Sequence, residues 1–367
     1  MRERPCLGVG LMSGTSLDGM DAALVRFEGP GRVSLVAFSS RPYAPAERAL
    51  LEAGLSSATA PELARLHAKL GGWAAEAVDE VLARALVRAS DLEFIAFPGQ
   101  TIWHEPPIVS WQLGEPAILA ERFGVKVVSS FRSRDVAAGG QGAPLVPIAD
   151  VMLFGAEHPR ALLNIGGMAN ATYVPRRDLD DGAFAFDTGP GVAVIDAVAR
   201  LVRPGLPYDR DGELARAGRV DESVLDELLE DPFFAASPPK STGRERFGQP
   251  YAVELHRRVP GPDGVATALA LTVRSIALAC RRWIPHGTEV VASGGGTRHP
   301  VLVSGLRAAL GSGHPLRRFD DLFFDGDAKE AVAFSLLGYL TLHGQPGNLP
   351  GATGAAGRRV LGSITPP

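Results

Sequence analysis

Twice along the 367-residue chain, a short apolar run ends in a glycine cluster, is followed by two more strand-like runs, and then gives way to alternating helices and strands. The first pass reads Cys6–Met12, the turn Ser13-Gly14-Thr15-Ser16, then Asp21–Phe27 and Val33–Ser39 across the Gly29-Pro30-Gly31 turn. A helical stretch over 62–87, with a break offered at Gly71-Gly72, leads to a strand at Leu92–Phe97, a helix at Glu115–Phe123 and a strand at Val125–Val128. The second pass reads a strand at Arg160–Asn164 into Gly166-Gly167, strands at Ala169–Val174 and Ala183–Phe186, and a helix at Gly191–Leu201. A helix at Gly264–Trp283, a strand at Glu289–Ala292 and helices at Pro300–Leu310 and Asp327–His343 complete it. The halves share an order of elements rather than a repeated sequence. The expectation is α/β architecture in two related domains facing one another across a cleft. The boundaries expected are 1–130 with 348–367 for the first domain and 131–347 for the second. The Pro-, Gly- and charge-rich region 203–263 reads as an insertion of short helices and loops.

Three glycine clusters stand at strand ends: Ser13-Gly14-Thr15-Ser16, Asn164-Ile165-Gly166-Gly167 and Ser293-Gly294-Gly295-Gly296-Thr297. Glycine lets backbone amides come close to phosphate oxygens. One such cluster is most simply an ordinary turn, but three at strand ends, two of them at equivalent places in the halves, favour a nucleotide site. Thr297 is placed to cap the following helix. None of the clusters is a Gly-x-Gly-x-x-Gly turn opening a helix. A lysine-based phosphate loop is excluded too. The chain has four lysines (Lys69, Lys126, Lys240, Lys329), so 33 of its 37 basic residues are arginine, and no lysine stands in the Gly-x-x-x-x-Gly-Lys-Ser/Thr frame.

Asp187, in Asp187-Thr188-Gly189-Pro190-Gly191, falls at the end of an apolar strand, where α/β folds place ligands. Capping the next helix is its ordinary alternative. Asp18 and Asp21 flank Gly19 next to the first glycine turn, and either has the chemistry to help hold Mg²⁺, although a turn role is the simpler reading. In Phe131-Arg132-Ser133-Arg134-Asp135, the arginine pair either faces an acidic substrate or pairs with Asp135. Glu330 opens the last long helix, where a first-turn acid is expected in any case. The eight histidines show no metal-ligand spacing and no Gly-x-Ser-x-Gly elbow occurs, which argues against zinc and serine hydrolases. Two cysteines far apart exclude a disulfide framework, and a formal charge of −4 argues against nucleic-acid or polybasic membrane partners. No stretch approaches ~20 apolar residues, and the chain is expected to be cytoplasmic.

The motifs resemble those of anhydro-N-acetylmuramic acid kinases. The resemblance opens at Gly10-Leu11-Met12-Ser13-Gly14-Thr15-Ser16-Leu17-Asp18-Gly19-Met20-Asp21. It continues through Gly99-Gln100-Thr101-Ile102-Trp103-His104, the segment 139–147, Leu163–Gly167 and Asp187–Gly191. It closes with Pro239–Glu245, Gly294-Gly295-Gly296 and Pro346–Pro350. Such a likeness implies two ribonuclease-H-like domains of the actin/hexokinase/Hsp70 type that close over their ligands. It implies an ATP- and Mg²⁺-dependent carbohydrate kinase of peptidoglycan recycling. That enzyme opens the 1,6-anhydro ring with water and phosphorylates O6, giving N-acetylmuramic acid 6-phosphate and ADP. Asp187 matches the catalytic base. Gly14, Thr15, Ser16, Leu17, Asp18, Gly19, Met20 and Asp21 match the first phosphate loop, with Asp18 toward the metal. Gly166 and Gly167 match the second loop and Gly294, Gly295 and Gly296 the nucleotide turn. Glu330, Gln100, Thr101, Arg134 and Asp135 fall to the sugar. A homodimer is implied as well. Two positions depart from the pattern: Pro98 stands where the family has His, and Val192 where it has Asn. They motivate the alternative of a non-catalytic sugar or nucleotide sensor on the same fold.

Overall fold

The computed structural model describes residues 5–14, 17–177 and 181–367. The chain opens with strands β1 (Cys6–Met12), β2 (Gly19–Gly29) and β3 (Arg32–Pro42), then helices α1 (Pro45–Ser56) and α2 (Ala60–Ala85). Strands β4 (Phe94–Phe97), β5 (Gln100–Glu105) and β6 (Val109–Leu113), helix α3 (Pro116–Phe123), strand β7 (Lys126–Ser129) and helices α4 (Phe131–Ala137) and α5 (Pro147–Ala149) follow. The second pass carries β8 (Arg160–Ile165), β9 (Met168–Val174), β10 (Phe184–Pro190) and α6 (Ala193–Val202). Helices α7 (Glu213–Ala217), α8 (Glu222–Leu229), α9 (Pro232–Ala235), α10 (Gln249–Arg258) and α11 (Pro262–Trp283) come next, then β11 (Glu289–Ser293), α12 (Pro300–Leu310) and β12 (Leu316–Arg318). Helices α13 (Lys329–Leu342) and α14 (Pro350–Thr353) and strand β13 (Ser363–Thr365) close the chain.

Residue contacts gather the chain into two units, 1–153 with 328–367, and 154–327. In the first, the sheet order is β13-β7-β4-β1-β2-β3. Strands β1 and β2 pair antiparallel, as do β2 and β3, while β1–β4 and β4–β7 are parallel. In the second, the order is β10-β9-β8-β11-β12, with β8–β9 and β9–β10 antiparallel and β8–β11 and β11–β12 parallel. Each unit thus runs third, second, first, fourth, fifth strand. This is the ribonuclease-H-like order that the family resemblance implies, with β13 added at one edge of the first sheet. The two cores are separate: Val9, Leu24, Leu70, Val78 and Ile95 in one, Leu163, Ile165, Val194, Leu271 and Val290 in the other, all essentially inaccessible.

The division lies elsewhere than at 130/131 and 347/348. Helix α13 belongs with β1, because Gly10 leaves the helix room: a Cβ there would stand 2.0 Å from the Ala331 carbonyl oxygen. Segment 131–142 is tied to the C-terminal stretch by Asp135, which is wholly buried. Its Oδ1 accepts from Asn348 Nδ2 and Thr353 Oγ1, each at 2.8 Å, and its Oδ2 from the Gly142 amide at 2.8 Å.

Helix α2 runs unbroken through Gly71-Gly72. Gly71 is there for packing, since a Cβ would fall 2.7 Å from the Glu115 carbonyl oxygen. The 203–263 region does carry short helices, α7 to α10. Helix α11 is long and largely apolar because it is a core helix of the second unit. Most of it is buried, with Val265, Ala268, Leu271, Ile276 and Cys280 in the second core.

Candidate active site

Strand β10 places Asp187 away from any helix cap. The strand is interrupted between Asp187 and Gly189, where the register with β9 shifts, and such bulges re-aim side chains. Thr188 anchors the irregularity by donating to the Ala169 carbonyl at 3.1 Å. Gly189 takes φ +137 with the Phe234 ring against its Cα, a conformation and a contact that suit only glycine. The Asp187 amide donates to Lys240 O at 2.9 Å, and Asp187 Oδ2 accepts from the Thr242 amide at 2.8 Å. Burial pushes the Asp187 carboxyl up to about 6; the Thr242 amide pulls it down, Glu245 raises it further and Lys240 lowers it. A carboxylate with that value is a competent base near neutral pH. Activity that needs Asp187 ionised is therefore expected to fall tenfold per unit below about pH 6. A kcat/KM profile flat down to pH 4.5 would contradict it.

Gly166 and Gly167 form the turn between β8 and β9. Their carbonyls accept from Val192, Gly191 and Ala193, which fixes the start of α6 against the turn. Gly191 must be small there, because a Cβ would meet Gly166 O at 2.1 Å. Val192 occupies the α6 N-cap position without a side-chain cap and packs into the second core. The Gly294–Gly296 turn lies on the same sheet end: Gly294 has φ +86, and Cβ atoms at Gly294 and Gly296 would strike Asn164 Oδ1 and Ile165. The second and third glycine clusters are thus one continuous backbone surface. Thr297 does not cap α12. Its hydroxyl donates back to Gly294 O at 2.8 Å, and the cap is His299, whose Nδ1 accepts from the Leu302 amide. Asp196, on α6, is a further carboxyl pushed up to about 6 by burial, with Arg200, His299 and Arg244 lowering it and Asp209 raising it.

In the first unit, Thr15 and Ser16 lie outside the described residues. Around them, Ser13 Oγ donates to Gln100 Oε1 at 2.5 Å and contacts the Tyr43 hydroxyl at 2.7 Å. Since Ser13 has one hydrogen to give, Tyr43 is the donor to it. Burial pushes Tyr43 up to about 12. The Tyr43 amide donates to Asp18 O at 3.0 Å, so the edge of β3 holds the first loop. Leu17 adopts φ 54 beside it. Gly19, Met20 and Asp21 begin β2. Thr101 Oγ1 accepts from Gln112 Nε2 at 3.4 Å, and Gln112 also donates to Ser110 Oγ at 2.8 Å.

Helix α13 brings Glu330 to the same electrostatic neighbourhood. Burial raises its carboxyl, while Lys329 and Arg132 lower it and Asp18 raises it. Lys329 itself is buried against Asp150, Nζ to Oδ1 2.7 Å. The α4 residues divide. Asp135 spends both oxygens on internal bonds, so it positions the chain rather than binding sugar. Arg134 is exposed. Arg132 is half-buried, with its Nη1 on Gly142 O at 2.9 Å, and it is the arginine whose charge acts on Glu330. Among the described residues no group of three or more His, Cys, Asp or Glu forms a metal cage.

Two units of ribonuclease-H-like strand order, with glycine turns at strand ends, define an α/β protein of the actin-like fold class. The family model "Anhydro-N-acetylmuramic acid kinase" matches residues 7–367, and the chain belongs to that family. A relative of that name from Bacillus thuringiensis subsp. konkukian (strain 97-27) is 40% identical over 378 residues, covering 98% of this chain and 99% of its own. One from Xanthomonas campestris pv. campestris (strain 8004) is 42% identical over 371 residues, covering 98% and 97%. The crystal structure of the Acidaminococcus fermentans (R)-2-hydroxyglutaryl-CoA dehydratase component A superposes at a TM-score of 0.44 and 14% identity, covering 90% of this chain and 96% of its own.

Proposed function

We propose that the chain hydrolyses the 1,6-anhydro bond of anhydro-N-acetylmuramic acid and transfers the ATP γ-phosphoryl group to O6, giving N-acetylmuramic acid 6-phosphate and ADP. The observation that carries this is Asp187, an acceptor-oriented carboxylate with its value raised to about 6. As base, Asp187 takes a proton from water. The oxygen of that water bonds to C1, the C1–O bond of the bridge breaks with its electron pair on oxygen, and that oxygen, now O6, attacks the γ-phosphorus. General-base help is worth ~10²–10⁴-fold; the phosphoryl step depends on positioning and charge neutralisation. Gly166, Gly167 and Gly294–Gly296 are assigned to the nucleotide, and the Gly14–Asp21 loop to its phosphates. Gln100, Thr101 and Glu330 bind the sugar.

The residues fit Mg²⁺ that arrives with ATP. The ion keeps water and phosphate ligands and needs one or two carboxylates from protein, and Asp18, exposed in the first loop, is the one assigned. Bound there, Mg²⁺ would neutralise charge on the transferred phosphoryl group. The family likeness further supports a cytoplasmic homodimer, which sedimentation measures. The sensor alternative rests on Pro98 and Val192. Val192 serves as a helix start packed into the core, and the base is intact, so catalysis is the better-supported reading. Purified protein should release ADP in proportion to added anhydro-N-acetylmuramic acid; no sugar-dependent ADP from folded protein would overturn it.

A further inference from the structure

A muramic acid differs from a glucosamine by the carboxylate on its lactyl ether. A site selective for the acid must meet that charge with a cation that is not already neutralised, since a buried carboxylate without a partner is costly. Arg41 acts on Tyr43, which contacts Ser13; Lys329 and Arg132 act on Glu330; and Arg134 shares helix α4 with Arg132. Lys329 is paired with Asp150 in the interior. Arg41 is bound to Glu47 and Glu76. Arg134 faces solvent. Arg132 differs from all three. Its guanidinium is held by the Gly142 carbonyl, which uses one of its five N–H donors, and no carboxylate salt-bridges it among the described residues. Asp135, three residues on, is closed to it by Asn348, Thr353 and Gly142. Beside it lies His104, on the β5–β6 hairpin that starts at Gln100. His104 is held by Ser110 Oγ at 2.9 Å, and burial and the Arg132 charge both favour its neutral form. Glu330 is the carboxyl whose charge acts on Arg132, and burial raises it toward its neutral form, so the half-buried guanidinium keeps donors to offer.

We propose that the Arg132 guanidinium reads the lactyl carboxylate and so sets the preference for anhydro-muramic acid over neutral anhydro-sugars. This rests on the functional reading above and adds a specificity-determining residue to it. A planar guanidinium binds a carboxylate through two parallel bonds, which lysine cannot reproduce. The test is calorimetric binding of 1,6-anhydro-N-acetylmuramic acid and of its methyl ester to wild type, Arg132→Met and Arg132→Lys. Wild type is expected to favour the acid by roughly 10–100-fold. In Arg132→Met the ratio should collapse to near one, and in Arg132→Lys it should be partly restored. Binding of the ester itself reports that each variant is folded. A wild-type-like ratio in Arg132→Met, or equal loss of both ligands in both variants, overturns the proposal. Wild type that binds neither sugar and releases no sugar-dependent ADP removes the functional reading, and the proposal with it.

Discussion

Asp187→Asn lowers sugar-dependent turnover by ~10²–10⁴-fold while ATP binding survives, because the base is lost and the glycine turns are untouched. Asn can still accept from the Thr242 amide, so the local bond at 2.8 Å has a substitute. The same variant carries a second, independent signature. The folded carboxyl titrates near 6, above the 3.8 of an unperturbed aspartate, so ionising it costs the folded state more than the unfolded one. That penalty is absent below about pH 4, grows as pH rises through about 6 and is complete at pH 8. A rise of that size corresponds to up to about 3 kcal/mol. Asp187→Asn should therefore be more stable than wild type at pH 8 and indistinguishable from it near pH 4. Loss of ATP binding in a folded variant, or a stability gain that is the same at both pH values, would contradict this role. Gaining stability while losing activity is the expected behaviour of a residue held in a costly environment for chemistry.

The second large effect concerns the pair beneath Glu330. Lys329 and Asp150 are 6% and 3% exposed and meet at 2.7 Å. Removing Lys329 takes away the cation that faces the buried Asp150 carboxylate. Lys329→Met is expected to cost about 3–5 kcal/mol. The pair as a whole need not be stabilising, so Lys329→Met with Asp150→Leu should recover most of the loss. Denaturant titration of the single and double variants measures it. A double variant as unstable as the single one would mean that the cost comes from repacking α13 and not from the stranded carboxylate.

Most elements are legible in the sequence because period and punctuation agree. Strand β1 ends at the glycine turn, and α12 starts at Pro300 and stops at Gly311. The β5–β6 hairpin escapes because Gln100–Glu105 is polar along half its length and lacks the alternation of a covered strand. Helix α13 is legible as a helix, but its unit is not. Nothing local to it says that Gly10, more than 300 residues earlier, leaves the space it fills.

The site divides the same way. Asp187 and the three glycine clusters are visible as short motifs. Tyr43, Thr242 and the Lys329–Asp150 pair are not, because each matters through a partner remote in sequence: Ser13 is 30 residues from Tyr43 and Asp187 is 55 from Thr242. Thr242 and Lys240 stand inside a motif shared with the family, but only the fold shows that their backbone brackets Asp187. Between the two arginines of α4, periodicity cannot choose. The exposure of Arg134 and the Gly142 bond to Arg132 do.

In the proposed reaction one oxygen atom leaves C1 and receives the phosphoryl group. Turnover of anhydro-N-acetylmuramic acid carrying ¹⁸O in its bridge measures this, with the label located in the product by ³¹P isotope shift. The account predicts that the label is retained in the C6–O–P linkage of every sugar phosphate formed. An unlabelled phosphate ester with ¹⁸O at C1, or ADP released without any sugar phosphate, would contradict it.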